Sequence, residues 1–443
     1  MTKSKFLKTG VALACGLMMA TAASAQTKIQ WWHAMTGALS GKIDEMVADF
    51  NKSQSDYEIV AINKGSYVEL MTSAIAAYRA GGQPHILQIY EVGTATFMAA
   101  GDAVYPAYQL MEDAGKPFNT SDYLAAVTGY YTTPDGKMLS FPFNSSTVTL
   151  YYNKDVFEKA GLDPNIAPKT WEEVEDFSRK IVTSGAANCG FSTSWPSWVN
   201  VENFSAWHNV PIGTKENGFG GTDTEFTIDN PVVKRHWNNL VKWQNENGLY
   251  TYGGREDSGL SSFLTGNCAI ALASSASLSD VVESANFAYG IGMQPYYSDV
   301  EGAPQNSIIG GASLWVMRGH DQADYKGVAE FFEYLSRSEV QADWAKFSGY
   351  LPITNAAYDM IKQSGYYEEV PGSDSGIKEI TLNPPTANSK GLRFGNFAQI
   401  RLMFEEELEQ AINGTKSVDQ ALSDAQARGN AELRNFEATQ ARQ

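Results

Sequence analysis

Cysteine, histidine and positive charge are scarce in this 443-residue chain, and each scarcity removes a class of function. There are three cysteines and five histidines, and neither type falls at the short spacings that a structural or catalytic metal site uses. His33, His85, His208, His236 and His320 stand apart and read as structural residues. Lys and Arg number 33 against 50 Asp and Glu, a formal charge of −17, which argues against nucleic acid and anionic membrane surfaces as partners. Catalytic signatures are missing as well: no G-x-S-x-G elbow and no H-E-x-x-H occurs. Gly290-Ile291-Gly292 meets Pro295 where a dinucleotide fingerprint needs its third glycine. Glu91 with a second acid could imitate a glycosidase pair, but such pairs are common in an acidic chain. The expectation is a protein that is not an enzyme, with no cofactor and no metal.

Long apolar runs are missing after the first 26 residues, and the leader explains itself. Lys3, Lys5 and Lys8 precede an apolar run from Val11 to Ala20 that ends in Ala23-Ser24-Ala25, the pattern of a secretory signal peptide over 1–25, cleaved after Ala25. A run of roughly ten residues is half of the about 20 that span a bilayer. Cys15 lies mid-run, not at the cleavage point where a lipoprotein needs it. Loss of the three lysines takes the formal charge from −17 to −20. The remaining 26–443 exceeds what one hydrophobic core supports, so two domains are expected, and 43% hydrophobic residues suffice to fill both. Cys189 and Cys268 survive cleavage; in an oxidising compartment they either pair or stay buried thiols, depending on their Cα separation.

Along the chain, short β-rich runs alternate with helical periodicity. Lys28 to His33, Tyr57 to Ile62 and His85 to Tyr90 read as strands, and Ile43, Met46, Val47 and Phe50 fall on one helix face. Ser66-x-x-Glu69 and Thr170-x-x-Glu173 are capping boxes that open helices. Thr147 to Asn153, Tyr289 to Met293 and Ala312 to Met317 are further strands; Trp171 to Ser184, Tyr325 to Ser336, Phe397 to Ile412 and Val418 to Ala438 are helices. Gly365 to Lys390, rich in Gly, Pro and Ser, reads as a surface loop or lid edge. The opening strand-helix alternation predicts a mostly parallel sheet, whose ligands sit beyond the carboxyl ends of the strands. That directs attention to the loops holding His33, Tyr67 and Glu91.

Tyr151-Tyr152-Asn153-Lys154-Asp155, Ala160-Gly161-Leu162, Pro168-Lys169-Thr170-Trp171 and Tyr350-Leu351-Pro352 resemble the extracellular solute-binding proteins of ABC importers for sugars and glycerol phosphate. Within that family the likeness is to its glycerol-phosphate branch. It extends to Tyr90-Glu91-Val92-Gly93, Pro142-Phe143-Asn144-Ser145-Ser146, Glu202-Asn203-Phe204-Ser205-Ala206-Trp207, Ile308 to Met317 and Gln399-Ile400-Arg401. The resemblance implies an α/β, two-lobed periplasmic-binding-protein fold of type II, with mostly parallel sheets flanked by helices. It puts 26–143 and 294–348 in lobe 1, 147–293 and 353–443 in lobe 2, and the crossings near 143–147, 293–296 and 349–353. It implies a periplasmic monomer that captures sn-glycerol-3-phosphate or a glycerophosphodiester and delivers it to permease subunits in the inner membrane.

The same resemblance carries over nine ligand-binding residues. Arg401 would clamp the phosphate, since its planar fork donates to two oxygens; without the resemblance, an arginine four residues ahead of Glu405 suits a helix-surface ion pair. Tyr67, Ser146, Ser274, Gly311 and Tyr350 would be donors, Gly311 through an unshielded backbone N–H. Ser145 could replace Ser146, and Ser275 could replace Ser274. Glu91 would accept from glycerol hydroxyls. Trp195 and Trp198 would pack on the carbon chain, with Pro196 between them indicating a loop. An indole face also suits a quaternary ammonium, which keeps glycerophosphocholine in view. Two alternatives stand beside this reading: an oligosaccharide receptor of the same fold, and an exported hydrolase.

Overall fold

The computed structural model describes residues 26–441 apart from 247; the leader expected over 1–25 lies outside the described residues. Among the described residues, eleven strands form two sheets. The first takes β1 (Thr27–His33), β2 (Tyr57–Asn63), β3 (Ile86–Tyr90), β4 (Val104–Tyr105), β5 (Phe141–Ser146) and β11 (Gly310–Met317). The second takes β6 (Val148–Asn153), β7 (Cys189–Thr193), β8 (Tyr250–Tyr252), β9 (Cys268–Ser274) and β10 (Tyr289–Met293). Helices cover both sheets, and the aromatic-rich cores behind them are buried. No described helix is long and apolar enough to cross a membrane.

Local chemistry explains the elements that frame the cleft. Ser66 and Thr170 cap their helices with Glu69 and Glu173 completing both boxes, so each helix starts where its first free N–H groups find side-chain acceptors. The helix Gly37–Ser53 buries Ile43, Met46, Val47 and Phe50, the predicted stripe. β1 pairs in parallel with β2 and β3, as the opening alternation requires.

The sheets are mixed, which corrects the expectation of mostly parallel ones. β11 runs antiparallel to β3, β4 and β5, and β6 runs antiparallel to β9 and β10. β11 re-enters the first sheet after the chain has passed through the second lobe, so it is not bound by the βαβ crossover that forces parallel pairing.

The first crossing lies between Ser146 and Val148, where β5 of one sheet passes to β6 of the other. The other two differ from the expected 293–296 and 349–353. Gln294 and Tyr297 remain on the second lobe: Trp207 Nε1 donates to the Gln294 carbonyl at 3.1 Å and Tyr297 N donates to His208 Nε2 at 2.9 Å. The chain joins the first sheet at Gly310. Past 353, the helix Asn355–Gln363 still packs on Ser338–Ser348 of the first lobe through Ala342, Ala345, Ala357 and Ile361. Gly365 to Lys390 is no open loop: it contains the helix Ser375–Ile380, whose Ile377 and Ile380 are core residues.

Cys189 and Cys268 are register partners on neighbouring β7 and β9 and form a disulfide. The bridge closes a 79-residue separation, which in the chain-entropy picture restricts the unfolded state by about 4.5 kcal/mol. Replacing both cysteines by alanine is expected to lower unfolding free energy by about 2–5 kcal/mol, read by urea titration. A midpoint unchanged from wild type would show that the bridge does not stabilise the lobe.

Candidate functional site

One cavity of about 450 Å³ opens between the lobes, within the roughly 300–1,000 Å³ typical of small-molecule sites. All nine residues singled out in the sequence line it: Tyr67, Glu91, Ser146, Trp195, Trp198, Ser274, Gly311, Tyr350 and Arg401. Their positions follow from strand ends. Glu91 comes directly after β3, Ser146 ends β5, Ser274 ends β9 and Trp195 follows β7, while Tyr67 opens its helix just beyond β2. Tyr67, Glu91 and Gly311 belong to the first lobe; Trp195, Trp198, Ser274 and Arg401 belong to the second. Ser146 and Ser274 reach the cavity, whereas Ser145 and Ser275 do not line it and keep buried hydroxyls without a hydrogen-bond partner.

Among the described residues, Arg401 is the only basic side chain on the lining. It sits on the helix Phe397–Ile412 and is 5% exposed. Its Nε donates to Glu202 Oε1 at 2.8 Å and its Nη2 to Glu202 Oε2 at 2.5 Å. Nη2 also donates to Glu91 Oε1, which reaches across from the first lobe. Arg401 is therefore no helix-surface ion pair. Nor are both edges of its fork open to a ligand, because Glu202 takes the Nε edge. The two carboxylates raise the Arg401 pKa still further, so the guanidinium is permanently charged. Glu91 touches the guanidinium in this state, so the expected glycerol and phosphate ends of the site meet at one ion pair.

Tyr67, Tyr350, Ser274 and Trp198 are each held by a neighbour. Tyr67 stacks on Tyr90 with centroids 5.1 Å apart, and its hydroxyl accepts from Asn144 Nδ2 at 3.0 Å. Tyr350 stacks on Trp344, and the Ser274 hydroxyl accepts from Ala276 N at 3.2 Å. Gly311 has φ +85°, and a Cβ there would meet the Asn144 carbonyl oxygen at 1.9 Å. The backbone itself demands glycine at this position, whatever a ligand needs. Pro196 opens a helical stretch rather than marking a loop, since a first-turn residue needs no N–H donor. Trp198 consequently starts the π-helical segment Trp198–Asn203 and is buried. Its ring lies against Gly310 across the cleft: a Cβ on Gly310 would stand 2.4 Å from Trp198 Cζ2.

Comparison with known proteins places the chain in a family. The profile of the bacterial extracellular solute-binding protein family matches residues 45–369. The sn-glycerol-3-phosphate-binding periplasmic protein UgpB of Pectobacterium atrosepticum is 47% identical over 436 residues, 98% of this chain and 98% of that protein. The chain belongs to the bacterial extracellular solute-binding proteins. Two solved structures share the fold. UgpB from Mycobacterium tuberculosis in complex with glycerophosphocholine has a TM-score of 0.75 at 19% identity, over 93% of this chain and 99% of that one. The cyclic alpha-maltosyl-1,6-maltose binding protein from Arthrobacter globiformis has a TM-score of 0.72 at 22% identity, over 93% and 100%.

This solute-binding protein also lines its cavity with acids that the sequence did not assign to the site: Glu69, read there only as a helix cap, Glu256, Asp257 and Asp280 join Glu91. Burial pushes Asp257 up to about 7 and raises Asp280 and Glu256, with like-charged neighbours adding to each. Behind Arg401, burial pushes Glu405 up to about 7 despite the opposing guanidinium. No spacing rule assigns these acids to a site, because the fold gathers them from separate helices and turns. Glu202 was missed for a related reason: it lies inside a segment that carries the resemblance, but its partner is 199 residues away. One potential metal-ligating trio, His85, His320 and Asp324, lies outside the cavity. His85 Nδ1 accepts the Gln30 N–H at 3.0 Å, so its proton sits on Nε2, the nitrogen nearest Asp324, and no lone pair faces the trio from His85.

Proposed function

We propose that the protein is a periplasmic receptor that captures sn-glycerol-3-phosphate or a glycerophosphodiester and delivers it to the permease of an ABC importer. The observation that carries this reading is Arg401, a lone buried guanidinium at the point where both lobes meet the cavity. The 47% identity to a protein named for sn-glycerol-3-phosphate supports it. Arg401 donates to the phosphate from its remaining edge, with the hydroxyls of Tyr67, Ser146, Ser274 and Tyr350 and the Gly311 N–H as further donors. Glu91 moves from the guanidinium to the glycerol hydroxyls, and Trp195 and Trp198 cover the carbon chain. The leader is cut after Ala25, and the mature chain acts as a monomer without catalysis. The lobes swing about the crossing at Ser146–Val148 and two further ones, within 294–309 and 364–374. Saturating sn-glycerol-3-phosphate should contract the protein in small-angle scattering; curves that superimpose with and without it would count against ligand-driven closure.

The five cavity carboxylates favour the diester as a second reading, because a ligand with its own cation would be drawn to Glu256 and Asp257. Proton linkage separates the two. At pH 8 a monoester is already a dianion, since its second pKa is about 6, and binding it beside groups raised to about 7 should make them take up protons. Its affinity then strengthens as pH falls from 8 towards 7. A choline diester places a cation against the same acids and offsets that uptake. Calorimetry in buffers of different ionisation enthalpy reads the difference; equal uptake for both ligands would remove the second reading.

A further inference from the structure

We propose that Glu202 is a positioning residue that sets which edge of Arg401 faces the ligand, an inference that rests on the anion-binding reading above. Glu202 is 1% exposed and does not line the cavity, so it reaches a ligand only through Arg401. Its Oε1 accepts from Arg401 Nε at 2.8 Å and from Ser197 Oγ at 2.9 Å, and its Oε2 accepts from Arg401 Nη2 at 2.5 Å. Two parallel bonds to one edge of a planar group fix its rotation as well as its place. With the Nε edge held, the Nη1 side is what Arg401 has left to offer.

The two carboxylates on Arg401 are not equivalent. Glu91 comes from the first lobe through one oxygen, a contact that parting of the lobes would break. Glu202 is on the same lobe as Arg401, holds two nitrogens and is itself anchored by the Ser197 hydroxyl. Glu91 is therefore the exchangeable partner and Glu202 the permanent one. A permanent buried carboxylate beside an anion site repels the anion. Charge and positioning thus predict opposite signs when Glu202 is neutralised.

Glu202→Gln, which keeps the shape and removes the charge, decides between them. Positioning predicts that sn-glycerol-3-phosphate binds about tenfold or more weakly by calorimetry, as misplaced contacts do, and that adding E202Q to Arg401→Lys weakens binding no further. Unchanged or tighter binding in E202Q overturns the proposal, as does an equal loss in the Arg401→Lys background. A readout without ligand stands beside these. The Arg401 Nε–H resonance, assigned by its absence in Arg401→Lys, should be slow to exchange in wild type and averaged in E202Q; a resonance that persists in E202Q overturns the proposal. If wild type itself fails to bind sn-glycerol-3-phosphate, the anion reading falls and the resonance still decides the role of Glu202. Should E202Q fail to fold, Ser197→Ala removes only the anchoring hydroxyl and is expected to weaken binding in the same direction; unchanged binding there overturns the proposal.

Discussion

Arg401→Ala is expected to cost about 3–5 kcal/mol of affinity for sn-glycerol-3-phosphate, the loss typical of removing one partner from a buried, hydrogen-bonded charge pair. Among the described residues no other basic side chain lines the cavity, so none of them substitutes for it. Hydroxyls remain as donors, but none offsets a dianion placed among five carboxylates. The variant should also change how stability depends on pH. Burial already pushes the Glu91 carboxyl up, and Arg401 is the main force opposing that push. Without it the folded-state pKa rises further above the unfolded value of about 4.3. An acid raised in this way adds stability that is complete below its unfolded pKa and is lost as pH climbs through the folded one. The gap in melting temperature between wild type and variant should therefore be small near pH 5 and widen by pH 8. Wild-type affinity in the variant would remove Arg401 from the site.

Gly310→Val is expected to abolish closure while leaving each lobe intact. Even a methyl at Gly310 would lie 2.4 Å from Trp198 Cζ2 and 3.2 Å from its Nε1, and Trp198 belongs to the opposite lobe. Gly310 has no left-handed φ to satisfy, and valine suits a strand, so the ligand-free melting temperature should stay close to wild type. Affinity should fall about 100-fold or more, because the state with contacts from both lobes is no longer accessible. Gly311→Ala makes the contrast: φ +85° and the Asn144 carbonyl strain the fold itself. If Gly310→Val binds and contracts like wild type, the Trp198–Gly310 contact has no part in the bound state.

Local chemistry explains which parts of this structure were readable in the sequence. Both capping boxes and the helix Phe397–Ile412 follow from residues a few positions apart, and so does the parallel β1–β2–β3 unit. The antiparallel insertion of β11 depends on a pairing with Tyr90 and Ser146 that no local pattern encodes. Pro196 misled because proline breaks a helix interior but opens a first turn. Composition misled over 365–390, where glycine and serine hid the core positions Ile377 and Ile380. In the site, the resemblance supplied nine lining residues, among them Gly311, while Gly310, whose missing side chain admits Trp198, needed coordinates to be seen. The acids of the lining and Glu202 needed them too, since their meaning comes only from what they face. In a chain with a formal charge of −17, the guanidinium on the cavity lining is held by the chain's own carboxylates, Glu202 and Glu91.

The most direct test of this account is parallel calorimetric titration of the mature protein with sn-glycerol-3-phosphate, glycerophosphocholine, inorganic phosphate and maltose. Binding is expected for the first, with or without the second. Inorganic phosphate should give no heat, because it has no carbon-bound hydroxyl to draw Glu91 away from Arg401. Maltose should give none, because it has no charge for the guanidinium. Saturable binding of maltose with no response to either phosphorylated glycerol would contradict the account and return the protein to the sugar receptors that share its fold.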